Sequence, residues 1–481
     1  MARYLIIANN APEYFNLYRP MADEILASGG DVTFALDSDY SLDYNGVGTY
    51  KNYVFTDYVK RDQQSNEEID FLCKKIQNEK GLWHLYPDFD RDCYYSIFSK
   101  KFKKEIKLEQ LFSNLVGFFV SIFKKENFDY IVYENASNAL ALIARDVGKY
   151  YGVKYCGLAI SRLPGRISIT DDPTFESEIY RKIMSSLEGG EFKLDPKISN
   201  DVTTYLNSIL NIQPDYMRNN PLNNVSVVNK YFNLTKIKIL LFKLKYSFGS
   251  TDWNFQVGNP FLVAYSSFSR NVFRSIKSNL IKKKYDKLPK SGEGYFLYPL
   301  HFHPEASTSV LAKHFNNEYE LIRNIAFSLP HGFKLYVKDH ISAYGFPSLA
   351  FYNRLKLLPN IVLLSPFEDT KSLIKGSTAV LTLTSTVGYE ALILEKPVIV
   401  FGNVFYDFHK LCYKCNSYDK ISGLLSFIIS SEQKLEENYN VSFVSSYFLA
   451  TYEIKLDYKN CCYKEQRENA SKILEVISEN N

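Results

Sequence analysis

The residues best suited to chemistry lie in one run, Ala379-Val-Leu-Thr-Leu-Thr-Ser-Thr-Val-Gly-Tyr-Glu-Ala-Leu-Ile-Leu-Glu-Lys-Pro-Val-Ile-Val-Phe-Gly402. Its pattern predicts a buried strand, a hydroxyl-rich turn, a helix and a second buried strand. Thr384, Ser385 and Thr386 flank the expected helix start, where free N–H groups and the positive end of the helix dipole favour a phosphate. Gly388 and Glu390 follow in the same helix, and the Glu390 carboxylate is placed to face a ribose hydroxyl. Taken alone, the run also fits an ordinary βαβ unit with a Ser/Thr cap.

Three further loops are expected at strand carboxyl ends in the same half of the chain. Tyr295–Leu300 leads into His301–Thr308, with His303 and Glu305. Lys334–Val337 leads into Lys338-Asp-His340, and Asn360–Leu364 leads into Pro366–Asp369. Lys338 and His340 can contact an anionic phosphate, and His340 can protonate or hydrogen-bond a departing oxygen. Singly, each has a structural alternative, such as a hydrogen-bonded surface histidine or a turn made by His303-Pro304. As a set, they read as a phosphate-binding edge that neutralises a leaving group without a metal.

The first third predicts a second α/β unit. Strand Arg3–Ala8 ends in Asn9-Asn10, a helix runs to about Ser28, and strand Asp31–Leu36 ends in Asp37–Asp39. A mostly helical stretch, Asn66–Lys125, precedes strand Tyr130–Tyr133, which delivers Glu134-Asn135 to the same edge. Helix Ala139–Tyr151, strand Lys154–Ile160 and the loop Ser161–Arg166 follow. Ligands of such sheets bind outside the strand carboxyl ends. Asn9, Asn10, Asp39, Arg162 and Arg166 are therefore candidates for binding an acceptor. Arg162 and Arg166 could equally pair with Asp171 and Asp172. An acceptor hydroxyl must lose a proton to a carboxylate or histidine of this half. Glu134, directly after an apolar strand, is favoured over Glu13 and Asp39, with a helix-capping or rim role as its alternative.

The 481-residue length calls for more than one core. The expected division is 1–170 and 291–420 as two Rossmann-like domains facing a cleft, 171–290 as a helical, basic insertion, and 421–481 as helices packing back on the first domain. Hydrophobic content of 46% and charged content of 23% are those of a soluble globular protein. No apolar stretch approaches the roughly eighteen residues of a membrane span, and the first strand leaves no room for a signal peptide. A cytoplasmic location follows as an expectation. Seven cysteines, including Cys412-x-x-Cys415 and Cys461-Cys462, are expected as reduced thiols, because no second CxxC or HxxxH completes a metal set. The net charge is only +4, but Ser99–Lys107, Thr235–Tyr246 and Arg270–Lys290 gather lysines among apolar residues. Such segments suit either a solvated helix face or the anionic inner face of a plasma membrane. No zinc finger or ribonucleoprotein motif supports nucleic acid as a partner.

Tyr295–Thr308, Leu335–His340, Leu383–Leu392 and Lys396–Gly402 together resemble the bacterial capsule polysaccharide biosynthesis family, which includes Kdo transferases. The resemblance implies a GT-B-type glycosyltransferase: two Rossmann-like domains, a nucleotide-sugar donor and a lipid-linked or growing polysaccharide acceptor at the inner membrane. Transferases of that kind that use CMP-activated acidic sugars often carry a His-Pro pair at the donor phosphate. Here Ile341 follows His340, so CMP is favoured over UDP only as an expectation. No cofactor is expected beyond the donor itself. Two other classes share the architecture: a sugar-nucleotide 2-epimerase, and a non-catalytic capsule assembly or export partner.

Overall fold

The computed structural model describes residues 2–9, 15–61, 66–95, 108–134, 137–172, 174–190, 194–211, 234–248, 253–256, 258–288, 292–431, 434–454 and 462–479. Asn10, Glu13, Asn135, Cys461 and the Ser99–Lys107 cluster lie outside the described residues.

Two six-stranded sheets are built from strands β1 Arg3–Ala8, β2 Asp31–Leu36, β3 Lys51–Val54, β4 Tyr130–Glu134, β5 Lys154–Ile160, β6 Ile167–Thr170, β7 Tyr295–Pro299, β8 Lys334–Lys338, β9 Ile361–Leu364, β10 Ala379–Thr382, β11 Val398–Val400 and β12 Cys412–Lys414. The first sheet has the order β3-β2-β1-β4-β5-β6 and the second β12-β11-β10-β7-β8-β9. Read from the other edge, the second repeats the order of the first. All pairings are parallel except β5 with β6, which is antiparallel. These are two Rossmann-like α/β units. The buried strands are continuous apolar runs because helices cover both faces of a parallel sheet. In each sheet the strand order reverses once, between β1 and β4 and between β7 and β10. Crevices at such reversals are where open α/β sheets hold ligands.

Several elements differ from the sequence expectation. β3 and β12 are short edge strands without a strong apolar signal. The polar stretch after β2 continues at once into a helix, Asp39–Asn45, whose Ser38 cap accepts from the Ser41 N–H. The loop after β7 holds a one-turn helix, Ala306–Ser309. Lys338, expected in a loop, is the last residue of β8 and is buried.

Residues between the sheets contribute helices Ser177–Glu188, Pro196–Ser208, Leu234–Lys245 and Pro260–Lys282. The chain then returns to the first unit. Helix Tyr463–Glu479 lies along helix Phe15–Ala27, and Tyr463 and Arg467 bond Asp23 and Glu24 of that helix.

Candidate active site

The reversal point of the second sheet is organised by His301, the second residue after β7. Its Nδ1 lies 2.9 Å from Glu318 Oε1 and its backbone N–H donates to the same oxygen at 2.9 Å. Its Nε2 meets Thr382 Oγ1 at 3.0 Å and the Thr384 N–H at 3.4 Å. An amide can only donate, so Nε2 accepts and Nδ1 carries the proton toward Glu318. His301 thereby joins the carboxyl ends of β7 and β10. Its signal in the sequence is the histidine that closely follows an apolar strand, overshadowed by His303-Pro304.

The hydroxyl-rich turn is largely self-satisfied. Thr384 Oγ1 donates to the Ser307 carbonyl at 3.0 Å, Ser385 N–H to Thr382 Oγ1 at 3.0 Å, and Val387 N–H to Ser385 Oγ at 3.1 Å. The Gly388 N–H returns to the Ser385 carbonyl at 3.0 Å. Of the expected phosphate seat, these bonds leave chiefly the dipole of helix Thr386–Ile393 rather than a row of open N–H groups. Gly388 is a packing position: a Cβ there would lie 2.4 Å from the Tyr406 hydroxyl, which donates to the Ser385 carbonyl at 2.6 Å. Gly402 likewise admits Thr384, whose methyl would lie 2.6 Å from an added Cβ.

Two side chains of this edge remain open. The Ser342 N–H donates to His340 Nδ1 at 3.1 Å, so the neutral ring carries its proton on Nε2, which has no hydrogen-bond partner among the described residues. Burial, reinforced by neighbouring His301, Lys338 and Arg274, pulls the His340 imidazolium down to about 4. The ring is therefore neutral at pH 7 and offers a single N–H. Glu390 is half-buried, and its carboxylate has no hydrogen-bond partner among the described residues. Burial pushes its carboxyl up to about 7, Lys371 opposing and Asp369 reinforcing the shift.

Lys338 donates to the Pro366 carbonyl at 2.9 Å. Burial pulls its ammonium down to about 8 against the pull of Asp339, Glu368 and Asp369. Lys338 therefore braces the Pro366 turn. Asp339 fixes the base of the His340 loop by accepting from Tyr285 at 2.7 Å, Tyr352 at 2.8 Å and the His340 N–H at 2.7 Å. Arg274, fully buried on helix Pro260–Lys282, donates to the Tyr344 carbonyl at 2.8 Å and holds the same loop from outside. The sequence hid it among basic residues.

His303 and Glu305 sit on the loop after β7. Glu305 caps helix Ala306–Ser309, and its N–H donates to Thr308 Oγ1 at 3.2 Å. His303 Nε2 lies 3.2 Å from Asp90 Oδ1, and Ser309 Oγ donates to Asp90 Oδ2 at 2.5 Å. Asp90 belongs to helix Tyr86–Tyr95 of the first half, so this contact joins the two units beside the cleft.

In the first sheet, Asn9 and Glu134 flank the β1/β4 reversal. Asn9 Nδ2 donates to Gln256 Oε1 at 3.2 Å, and its carbonyl accepts from Asn45 at 2.8 Å. Glu134 Oε1 accepts from Ser137 at 2.7 Å and from Tyr133 at 3.1 Å. Asp39 opens helix Asp39–Asn45, exposed, with Lys60 at 3.8 Å. Arg162 lies over the Phe405 ring at 5.4 Å. Arg166 is turned away from the cleft edge: it donates to Thr451 Oγ1 and the Phe448 carbonyl, each at 2.9 Å, tying the C-terminal segment to β6. Asp37, not singled out from sequence, is buried at the end of β2, and burial pushes its carboxyl up to about 6.

Residues 201–422 match the profile of the family described as capsule polysaccharide biosynthesis protein. Over that segment, slightly less than half of its length, the chain is similar to this family. The match contains β7 to β12 and every candidate residue of the second sheet. No curated protein matches the chain. Among solved structures, the beta Kdo 2,7 transferase of Thermosulfurimonas dismutans KpsC is 13% identical, with 74% of this chain and 89% of that one covered at a TM-score of 0.37. The UDP-GlcNAc 2-epimerase of Neisseria meningitidis is 11% identical over 100% of both chains, at a TM-score of 0.23. Glycosyltransferase VinC is 10% identical over 99% and 98%, at 0.25. Scores this low carry no argument about activity.

Proposed function

We propose that this chain is a metal-independent glycosyltransferase that moves a sugar from a nucleotide-activated donor to a lipid-linked or growing polysaccharide at the cytoplasmic side of the membrane. The observation that carries the reading is the pairing of two open groups, the His340 Nε2–H and the Glu390 carboxylate, on the carboxyl edge of one parallel sheet inside the family-matched segment. A neutral imidazole N–H suits a phosphate oxygen on which charge develops as the sugar departs. A carboxylate in the helix that follows β10 suits paired ribose hydroxyls. The dipole of helix Thr386–Ile393 adds a positive potential, and Lys338, Asp339 and Arg274 hold the loop geometry. The acceptor would enter from the first sheet, with Glu134 as the base that takes its proton. Its hydrogen bonds from Ser137 and Tyr133 hold the carboxylate, and its place at the β1/β4 reversal supports that role.

A CMP-activated acidic sugar remains the favoured donor on family resemblance. The test is nucleotide release from CMP-, UDP- and GDP-sugars with and without a glycan acceptor. Release that requires the acceptor supports transfer. Conversion of the sugar without acceptor would instead identify an epimerase, and no binding of any nucleotide sugar would identify a non-catalytic assembly protein.

A further inference from the structure

Helices Leu234–Lys245 and Pro260–Lys282 pack against each other and are joined by Asn259 Nδ2 donating to the Ser247 carbonyl at 3.1 Å and the Phe261 N–H to Ser247 Oγ at 3.0 Å. The longer helix buries Asn271, Arg274, Ser278 and Ile281, a stripe with spacings of three and four residues. Its opposite face leaves Tyr265, Phe268, Phe273 and Ile276 exposed. The shorter helix exposes Ile237 and Leu241, and Phe248 just beyond it is 83% exposed. A stable soluble helix pair does not ordinarily leave so continuous an apolar face in water.

The charge around that face has one sign. From Leu234 to Tyr285 the sequence holds ten lysines and arginines and a single acid, Asp252. Some of these cations have structural partners: Arg274 and Lys277 hold the 341–347 loop, and Lys245 pairs with Asp43 at 2.9 Å. Lys238, Lys282 and Lys283 stand exposed beside the apolar residues.

We infer that the outward face of this helix pair is a docking surface for an anionic lipid bilayer. Lysine is depleted in protein–protein interfaces, whereas apolar residues ringed by lysine match the acyl and phosphate layers of a membrane. Attachment at both ends fixes the orientation. Phe242, tilted, and Tyr246, edge-on, pack against Tyr40 of helix Asp39–Asn45, each with centroids 5.4 Å apart, which ties the pair to the carboxyl end of β2. Arg274 ties it to the loop that carries His340. The pair thus bridges both sides of the cleft, and a bilayer seated on it lies at the mouth through which a lipid-borne acceptor enters. The docking itself does not depend on the transfer chemistry.

Sedimentation of the full chain with vesicles of phosphatidylglycerol in phosphatidylcholine, and of phosphatidylcholine alone, tests this at low and high salt. Wild type binds the anionic vesicles, and added salt weakens that binding. The variant carrying Leu241→Glu, Phe273→Glu and Ile276→Glu binds at least about tenfold more weakly at an unchanged melting temperature. The variant carrying Lys238→Glu, Lys282→Glu and Lys283→Glu loses the preference for anionic over neutral vesicles. Absence of binding to anionic vesicles, or equal binding by wild type and the apolar-face variant, overturns the inference. So does a wild-type dimer that this variant dissolves without any vesicle binding, because the face then belongs to a second copy. Vesicle binding without nucleotide-sugar binding would leave the inference standing and remove the functional reading above.

Discussion

The two sheets share one strand order, yet their carboxyl edges are built differently. At the β7/β10 reversal His301 is gripped by Glu318, Thr382 and Thr384, and the neighbouring loops are braced by Lys338, Asp339 and Arg274. This edge is rigid, with His340 Nε2 and the Glu390 carboxylate left open. At the β1/β4 reversal the strand-end residues are tied to remote segments, Asn9 to Gln256 and the N–H of Ala139 to Asp88 at 2.6 Å. After the neighbouring β2, the buried atoms Asp37 Oδ1, Ser41 Oγ and Asn45 Oδ1 have no hydrogen-bond partner among the described residues. Such groups are costly to leave unpaired. The same topology therefore supports one edge braced by its own neighbouring loops and one edge tied to distant segments of the chain. That division suits a donor site of fixed chemistry facing a more adaptable acceptor site.

The sharpest way to break the comparison is at His340. Replacing it with alanine is expected to lower kcat/KM by about a hundredfold, the scale for removing one donor to a developing oxyanion. Little change in melting temperature should accompany the loss, since only the Ser342 N–H loses a partner. Steady-state kinetics and thermal melting check both halves. His301→Ala should behave differently. It strips partners from buried Thr382 and from half-buried Glu318 and Thr384 and should cost about 2–4 kcal/mol of stability, seen by denaturant unfolding. A mild effect would mean that this edge is less rigid than described.

Gly388→Ala should cost about 1–3 kcal/mol, because the new methyl displaces the Tyr406 hydroxyl from the Ser385 carbonyl. The smallest effect concerns pH. The Glu390 carboxyl is raised from 4.5 to about 7 in the folded chain, so the native state holds the extra proton between those values. Its contribution to stability therefore falls as pH rises through that window. Glu390→Gln should flatten this slope and gain on the order of 1 kcal/mol at pH 8, the figure being reduced for partial exposure. Donor affinity of the wild type should rise over the same interval as the carboxylate forms.

How far the sequence reveals this arrangement depends on how local the contacts are. The second sheet was readable because its strands are apolar runs that end in compact polar loops, so His303, Lys338, His340 and Thr384–Glu390 fall at strand ends by counting. Counting does not show which way a side chain turns. Lys338 is the last strand residue and turns into the Pro366 carbonyl, and the Thr384–Thr386 turn spends most of its donors on itself. In the first sheet, Asp39 lies in a helix rather than a loop, and Arg166 holds a segment almost three hundred residues away. Asp90 on a helix and Gln256 in a turn reach these strand ends with no periodic signal that marks them. Long-range partners of this kind leave no pattern in a single sequence.

The central claim is that the β7/β10 edge holds the donor and the β1/β4 edge serves the acceptor. Calorimetric titration of a nucleotide-sugar panel into wild type, His340→Ala, Glu390→Ala and Glu134→Ala tests it most directly. The account predicts that one donor binds wild type, that binding falls in the first two variants, and that Glu134→Ala binds the donor normally yet fails to turn it over. Unchanged donor binding in His340→Ala and Glu390→Ala, or loss of donor binding in Glu134→Ala alone, would contradict it.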